Sequence, residues 1–241
     1  MIEWSLKPNS VQLDLLVFAA HPDDAELMAA GTLILMSKNF KVGVIDVTKG
    51  ELSTNGTPED RQRETALATK IMGIQARGNL NRKDGYLYQD TDLTEALTLS
   101  LRLCQPKAVI GPPPQCRHPD HQALHDHLKR AIFYSGLKNF LPDTPAIVRP
   151  KSFQYLEVSD DKPDFCIDIS AVWEQKKQAI LAYESQFTKR RSQAETFINS
   201  GFIEKLEQRF KSYGDLNSSS YAEPFLSESS VILYHPKDAF F

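Results

Sequence analysis

The chain has 241 residues, 28 basic and 31 acidic, for a formal net charge of −3; 41% of residues are hydrophobic and 24% charged. These proportions are ordinary for a globular protein and exclude disordered, collagen-like and fibrous classes, while the near-balanced charge offers no whole-molecule attraction to nucleic acid or anionic lipid. The longest apolar run, Leu27 to Met36, is interrupted by Gly31 and Thr32 and falls short of the roughly 20 residues that span a membrane. Cys104, Cys116 and Cys166 are sparse, odd in number and without C-x-x-C spacing, which suits a reducing compartment. Met1 to Pro8 carries no charged leader ahead of an apolar stretch, so the expected location is cytoplasmic.

In chain order, residues 12–18 read as a short buried strand. Residues 25–39 follow as a helix, apolar around most of its circumference as a sheet-covering helix would be. Residues 41–47 form a second strand, and the Gly-, Ser-, Thr- and Asn-rich stretch 49–56 a loop. Thr57-Pro58-Glu59-Asp60 opens a helix, with Thr as N-cap and Pro at its first position; it runs to Met72 and ends at Gly73. A short strand falls at 77–80. Asp92-Leu93-Thr94-Glu95 has the capping-box pattern of a helix that ends before Pro106. Residues 107–111 form another strand, stopped by Pro112-Pro113-Pro114, and a helix spans 119–135. Further on, strands are expected near 152–158 and 231–235, helices over 172–185 and 198–214, and a Ser-rich loop at 217–220. Strands alternating with helices point to βαβ units, a mostly parallel sheet and an α/β fold. No linker is evident, so residues 1–241 read as one domain.

Ionisable residues concentrate after two of these strands. His21-Pro22-Asp23-Asp24-Ala25-Glu26 follows the first strand directly, where a parallel sheet presents its ligand-binding carboxyl edge. A histidine and two adjacent carboxylates supply a nitrogen ligand, an oxygen ligand and a spare carboxylate, a set suited to a divalent metal with an open position. The competing reading is that both aspartates cap the following helix. The second cluster, Arg117-His118-Pro119-Asp120-His121, lies past the strand ending at Gly111. Pro119 at the first helical position makes His118 the N-cap and puts His121 in the first turn. His121, His21 and one aspartate then complete a two-histidine, one-carboxylate set. His125, His127 and His235 read as structural or solvated.

This arrangement invites hydrolysis. A zinc ion held by His21, Asp24 and His121 would acidify a water and polarise a carbonyl. Asp23, whose side chain diverges from that of Asp24, is left to act as general base. His118, oriented by Asp120, would stabilise an oxyanion or protonate the departing amine.

The motif Ala20 to Glu26 followed by Gly31-Thr32 resembles the signature of the LmbE-like (PIG-L) zinc-dependent deacetylases. The likeness continues through Asp46 to Thr57, Arg61-Gln62-Arg63-Glu64 and Arg117 to His121, covering about residues 14 to 235. Tyr183-Glu184-Ser185-Gln186-Phe187 and Tyr221-Ala222-Glu223-Pro224-Phe225 look like the branch that deacetylates N-acetylglucosaminyl-malate in bacillithiol biosynthesis. The resemblance implies a Rossmann-like α/β fold with its site at the carboxyl ends of the strands, and zinc as the usual metal. It also implies ligands at His21, Asp24 and His121, with Asp23 as base, His118 and Asp120 assisting, and often a hexamer. It further implies Arg61 as a sugar- or acid-contacting residue and Tyr221 as an oxyanion contact. Arg117 would pair with a substrate carboxylate through its planar fork. Departures include Leu27-Met28-Ala29-Ala30 in place of a Gly-rich or Cys-containing stretch, and Pro224 where a small residue is usual.

The expected partner is therefore a small acylated amino sugar, with neither nucleic acid nor membrane involved. Alternatives are a same-fold deacetylase of chitin oligomers or another acylated sugar, and non-haem Fe(II) chemistry, which uses a similar ligand set. No G-x-G-x-x-G follows the first strand, and no P-loop occurs.

Overall fold

The structure, a computed structural model, describes residues 12–156, 162–187, 201–216 and 218–228. Its frame is a seven-stranded sheet of β1 (Leu15–Ala19), β2 (Val42–Thr48), β3 (Ala76–Arg82), β4 (Ala108–Gly111), β5 (Lys151–Tyr155), β6 (Phe165–Asp168) and β7 (Ala222–Ser227). The spatial order is β3-β2-β1-β4-β5-β7-β6. The first five strands in that order are parallel, and β7 runs antiparallel to both β5 and β6. After β1 the chain adds β2 and β3 on one side, then returns to place β4 on the other. The crevice between β1 and β4 is thus a topological switch point, where open α/β sheets bind ligands.

Every residue of β1 is buried, because helices cover both faces and a parallel sheet can then be apolar throughout. Side-chain alternation divides that strand between two cores. Leu15, Val17 and Ala19 join the core under α1 (Asp24–Ser37), α2 (Pro58–Met72), α5 (Trp173–Leu181) and α7 (Phe202–Asp215), whereas Leu16 and Phe18 join the core under α3 (Leu93–Cys104) and α4 (Pro119–Ser135).

α2 begins as its sequence predicts. Thr57 Oγ1 accepts from the Asp60 N–H at 3.1 Å, and the Asp60 carboxylate accepts from the Thr57 N–H at 3.0 Å. Its end at Gly73 takes the left-handed φ of 69° that glycine adopts freely. The expected box at Asp92 does not form: its carboxylate accepts instead from Thr91 Oγ1, and Asp92 itself sits in helical backbone. The predicted 172–185 helix is broken near Ala182–Tyr183 into α5 and the single turn α6 (Glu184–Phe187). Strands β6 and β7 are absent from the sequence-based expectation. Their composition is not alternating, and Pro224, opposite Cys166 of β6, sits within β7, where a proline argues against a strand when only the sequence is read. The predicted strand at 231–235 lies outside the described residues, as does His235.

Candidate metal centre and active site

The turn from β1 into α1 is tight enough to force Asp23 into left-handed backbone, φ 118° and ψ −25°. For a residue with a Cβ, such a conformation costs about 1–3 kcal/mol and persists only where the surroundings impose it. Asp23 makes no side-chain capping bond, so the capping explanation for this pair fails for Asp23. The second cluster enters from β4. His118 is the N-cap of α4, and its ring nitrogen Nδ1 accepts the Asp120 N–H at 3.3 Å. His121 falls in the first turn and points back toward the strand edge.

Three donor atoms converge there. Asp24 Oδ2 lies 3.5 Å from His21 Nδ1 and 3.2 Å from His121 Nε2, and the two imidazole nitrogens are 3.4 Å apart. Metal–nitrogen and metal–oxygen bonds of about 2.0–2.2 Å put neighbouring tetrahedral donors roughly 3.3–3.5 Å apart. The triangle therefore has the edges that a zinc-like cation requires, and the donor types suit it. His118 also comes close, its ring 4.7 Å from that of His21 and 4.8 Å from that of His121, and it belongs to a cluster with both that meets metal-ligand spacing.

The far side of His21 carries two carboxylates. Nε2 is 3.0 Å from Asp84 Oδ1 and 3.6 Å from Asp120 Oδ2. Asp120, fully buried, is itself fixed by the N–H groups of Gly85 at 2.6 Å and Leu87 at 3.2 Å. Its carboxylate thus orients His21, not His118 as expected from sequence; toward His118 it offers only its backbone N–H. Such contacts hold a proton on Nε2 and leave Nδ1 free to accept, as the outer shell around a metal-ligating histidine would. Sequence reasoning missed Asp84. The available signal was Lys83-Asp84-Gly85 directly after β3, at the same sheet edge, but Asp-Gly reads as an ordinary turn. Glu51 supports it by accepting the Asp84 N–H at 2.9 Å.

Asp23, 6% exposed, lies in the same cavity and accepts from Arg61 Nη1 at 3.0 Å. Arg61 also donates to the Pro22 carbonyl, and its guanidinium sits 5.4 Å from the Tyr183 ring centroid. Gly50 makes room for it: a Cβ at that position, with φ 66°, would stand 3.1 Å from Arg61 Nη2. Arg61 therefore holds Asp23 and also lines the cavity, where the resemblance implies a sugar- or acid-contacting arginine.

Burial raises the Asp23 carboxyl to about 6, with Arg61 working against it. Burial pushes Asp24 the same way, but His121 and His21 hold it well below the usual carboxylate range. His21 would lose basicity on burial, yet hydrogen bonds to Asp120, Asp24 and Asp84 raise it well above an ordinary histidine. Asp84 is drawn down to about 2 by His21 despite its burial. Four carboxylates, those of Asp23, Asp24, Asp84 and Asp120, thus gather around His21, His121 and Arg61, an acidic donor set of the kind that suits a divalent cation. Burial lowers His118, as do His21 and His121, favouring its neutral form; with Nδ1 accepting, its proton sits on Nε2.

The cavity, about 400 Å³, is lined by these groups together with Leu27, Met28, Leu52, Arg117, Gln186 and Phe202. Arg117 is exposed at its edge. Tyr221 is not among its lining residues: its ring stacks on Trp173 at 4.4 Å, and its hydroxyl donates to Glu207 at 3.2 Å. Cys116 also lines the cavity, with Sγ 3.4 Å from His121 Nδ1. His125 is structural, bonded to the Pro112 carbonyl at 3.0 Å, and His127 meets Thr94 Oγ1 at 2.7 Å instead of being merely solvated. A separate cavity of about 570 Å³ lies between β3, α3 and residues 141–144, away from these groups. No helix among the described residues is long and apolar enough to cross a membrane.

Comparison with known proteins places this geometry in context. The family model described as PIG-L: GlcNAc-PI de-N-acetylase matches residues 16–132. The diacetylchitobiose deacetylase of Thermococcus kodakarensis is 27% identical over 186 residues, 72% of this chain and 70% of that protein. Among solved structures, the conserved protein TT1542 from Thermus thermophilus superposes with a TM-score of 0.85 at 35% identity, over 93% of this chain and 98% of that one. The N,N'-diacetylchitobiose deacetylase of Pyrococcus horikoshii superposes with a TM-score of 0.76 at 25% identity, over 88% and 82% of the two chains.

Proposed function

Because the chain belongs to the PIG-L family of de-N-acetylases, we propose that it is a metal-dependent hydrolase releasing acetate from an N-acetylated amino-sugar conjugate, with His21, Asp24 and His121 as metal ligands and Asp23 as general base. The observation that carries this reading is the Asp24–His21–His121 triangle of 3.2–3.5 Å with a second, buried carboxylate in the same cavity. A divalent cation, zinc first and Fe²⁺ as the alternative, supplies the Lewis acidity that acidifies water and polarises the amide carbonyl.

The protein's own groups do the rest. Asp23, ionised at neutral pH yet more basic than a surface aspartate, takes the proton from the attacking water and returns it to the amine nitrogen as the C–N bond breaks. Arg61 keeps its carboxylate from rotating away. His118 offers Nε2–H to the charge that develops on the amide oxygen. Asp84 and Asp120 keep His21 in the tautomer that presents Nδ1.

For the substrate, we favour N-acetylglucosaminyl-malate, with Arg117 pairing a malate carboxylate at the cavity edge. The chitobiose deacetylases among the relatives support a second reading, a chitin disaccharide. Family likeness further suggests a homo-hexamer of one-domain subunits in the cytoplasm, which light scattering tests for assembly. The deciding experiment measures amine release by metal-reconstituted protein from N-acetylglucosaminyl-malate, N,N'-diacetylchitobiose and N-acetylglucosamine. Preference for the malate conjugate supports the first reading, and preference for the disaccharide replaces it with the second. No amine release from any acetylated sugar would overturn the deacetylase reading itself.

A further inference from the structure

α1 carries Asp24 at its first position, yet it has little of its own to fix its placement. Residues 24 to 34 are all buried, and apolar side chains surround the helix. Apolar burial is non-directional; it holds such a helix in the core without setting its rotation or its axial position. Directional contacts must do that. Glu26, bonded by Arg77, is one.

Another comes from α5 and β7. Lys176 of α5 and Glu223 of β7 form a fully buried ion pair, Nζ to Oε1 2.6 Å, and both insert into the middle of α1. Glu223 Oε1 accepts the Gly31 N–H at 2.8 Å, and Oε2 accepts the Thr32 N–H at 2.8 Å together with the Thr32 hydroxyl. Lys176 Nζ donates to the Leu27 carbonyl at 2.8 Å. In a regular α-helix the N–H of residue 31 is bonded to the carbonyl of residue 27. The pair thus addresses the donor and the acceptor of one and the same helical bond, one turn beyond Asp24. Gly31 is pinned from another side as well, since a Cβ there would stand 2.6 Å from Ile169 Cγ2.

We propose that Lys176 and Glu223 are positioning residues for the metal centre: by capturing the Leu27–Gly31 rung they set the rotation and advance of α1, and through it the placement of Asp24 against His21 and His121. The inference rests on the ligand role of Asp24 proposed above. It differs from a purely stabilising role in what it predicts: removing one partner of a buried ion pair lowers stability in either case, whereas zinc affinity of the folded variant falls only if a ligand is displaced.

The test is zinc affinity of the metal-free protein, by competition with a chromophoric chelator, alongside melting temperature and the kcat and KM of the reconstituted enzyme. Glu223→Gln is expected to bind zinc about tenfold more weakly, the low end for groups that position metal ligands, with kcat lowered and KM unmoved. Lys176→Met should follow it. Thr32→Val, which removes only one hydrogen bond and keeps the apolar packing, should show a smaller loss in the same direction. Wild-type zinc affinity in folded Glu223→Gln overturns the proposal, whatever happens to its melting temperature. If that variant does not fold, unchanged affinity in both Thr32→Val and Lys176→Met overturns it equally. A wild-type protein that binds no zinc overturns the metal-centre reading and this proposal together. Tight wild-type binding that every variant retains overturns this one alone.

Discussion

Asp23 and Asp24 are neighbours in sequence with opposite electrostatic fates. Two imidazoles keep Asp24 ionised, while burial lifts Asp23 to about 6. Asp23→Asn should keep its zinc and lose about 10²–10⁴-fold in kcat, the range for removing a general base; metal content and turnover measured on one sample check this. The wild-type rate should fall as pH drops and Asp23 is protonated, with the acid limb at or below 6 because a bound cation favours the ionised form. A limb centred above 6 contradicts the assignment. Asp84→Asn removes the shortest contact to His21 Nε2 and should weaken zinc binding by about 10–100-fold, read by chelator competition. Tyr221→Phe separates resemblance from geometry. Its hydroxyl bonds Glu207, so the change should leave kcat near wild type and cost about 0.5–1.5 kcal/mol in a denaturant titration; a large loss of turnover would restore the oxyanion role that the family likeness implies.

At the scale of elements, the β1–α1 and β4–α4 junctions bring the chemistry to one edge, and both were legible. Proline at the first turn of α4, histidine before it and an apolar strand before that are local signals with local causes. The capping box of α2 reads the same way. The box at Asp92 was misread because Thr91 competes for the carboxylate, a choice that spacing alone does not reveal. β6 and β7, the antiparallel strands at one side of the sheet, were illegible because such strands are held by their partners more than by an alternating pattern. α1 carries a tight packing constraint near the site. Gly31→Ala would drive a Cβ to 2.6–2.9 Å from three Ile169 side-chain atoms, and overpacking of this kind costs about 1–3 kcal/mol. Calorimetric melting checks the size of the loss.

For the molecule as a whole, the metal should act as a folding ligand, since its donors come from two βα junctions that unfolding separates. Zinc at 100 times its Kd should stabilise the native state by about 2.7 kcal/mol, and a chelator should remove that increment in a thermal scan; identical curves with and without zinc would argue against the centre. The mostly parallel sheet with helices on both faces follows from the chain's own alternation of apolar strands and amphipathic or buried helices, since such units have few ways to cover their faces. Composition, capping and the two histidine clusters act over a handful of residues, so they can be read in a line of text. Which carboxylate faces which imidazole is another matter. Asp84 reaches His21 across 63 residues, and Glu223 reaches Thr32 across 191. Those pairings depend on where the packed helices come to rest, because a buried charge takes whichever partner the fold sets within hydrogen-bonding reach.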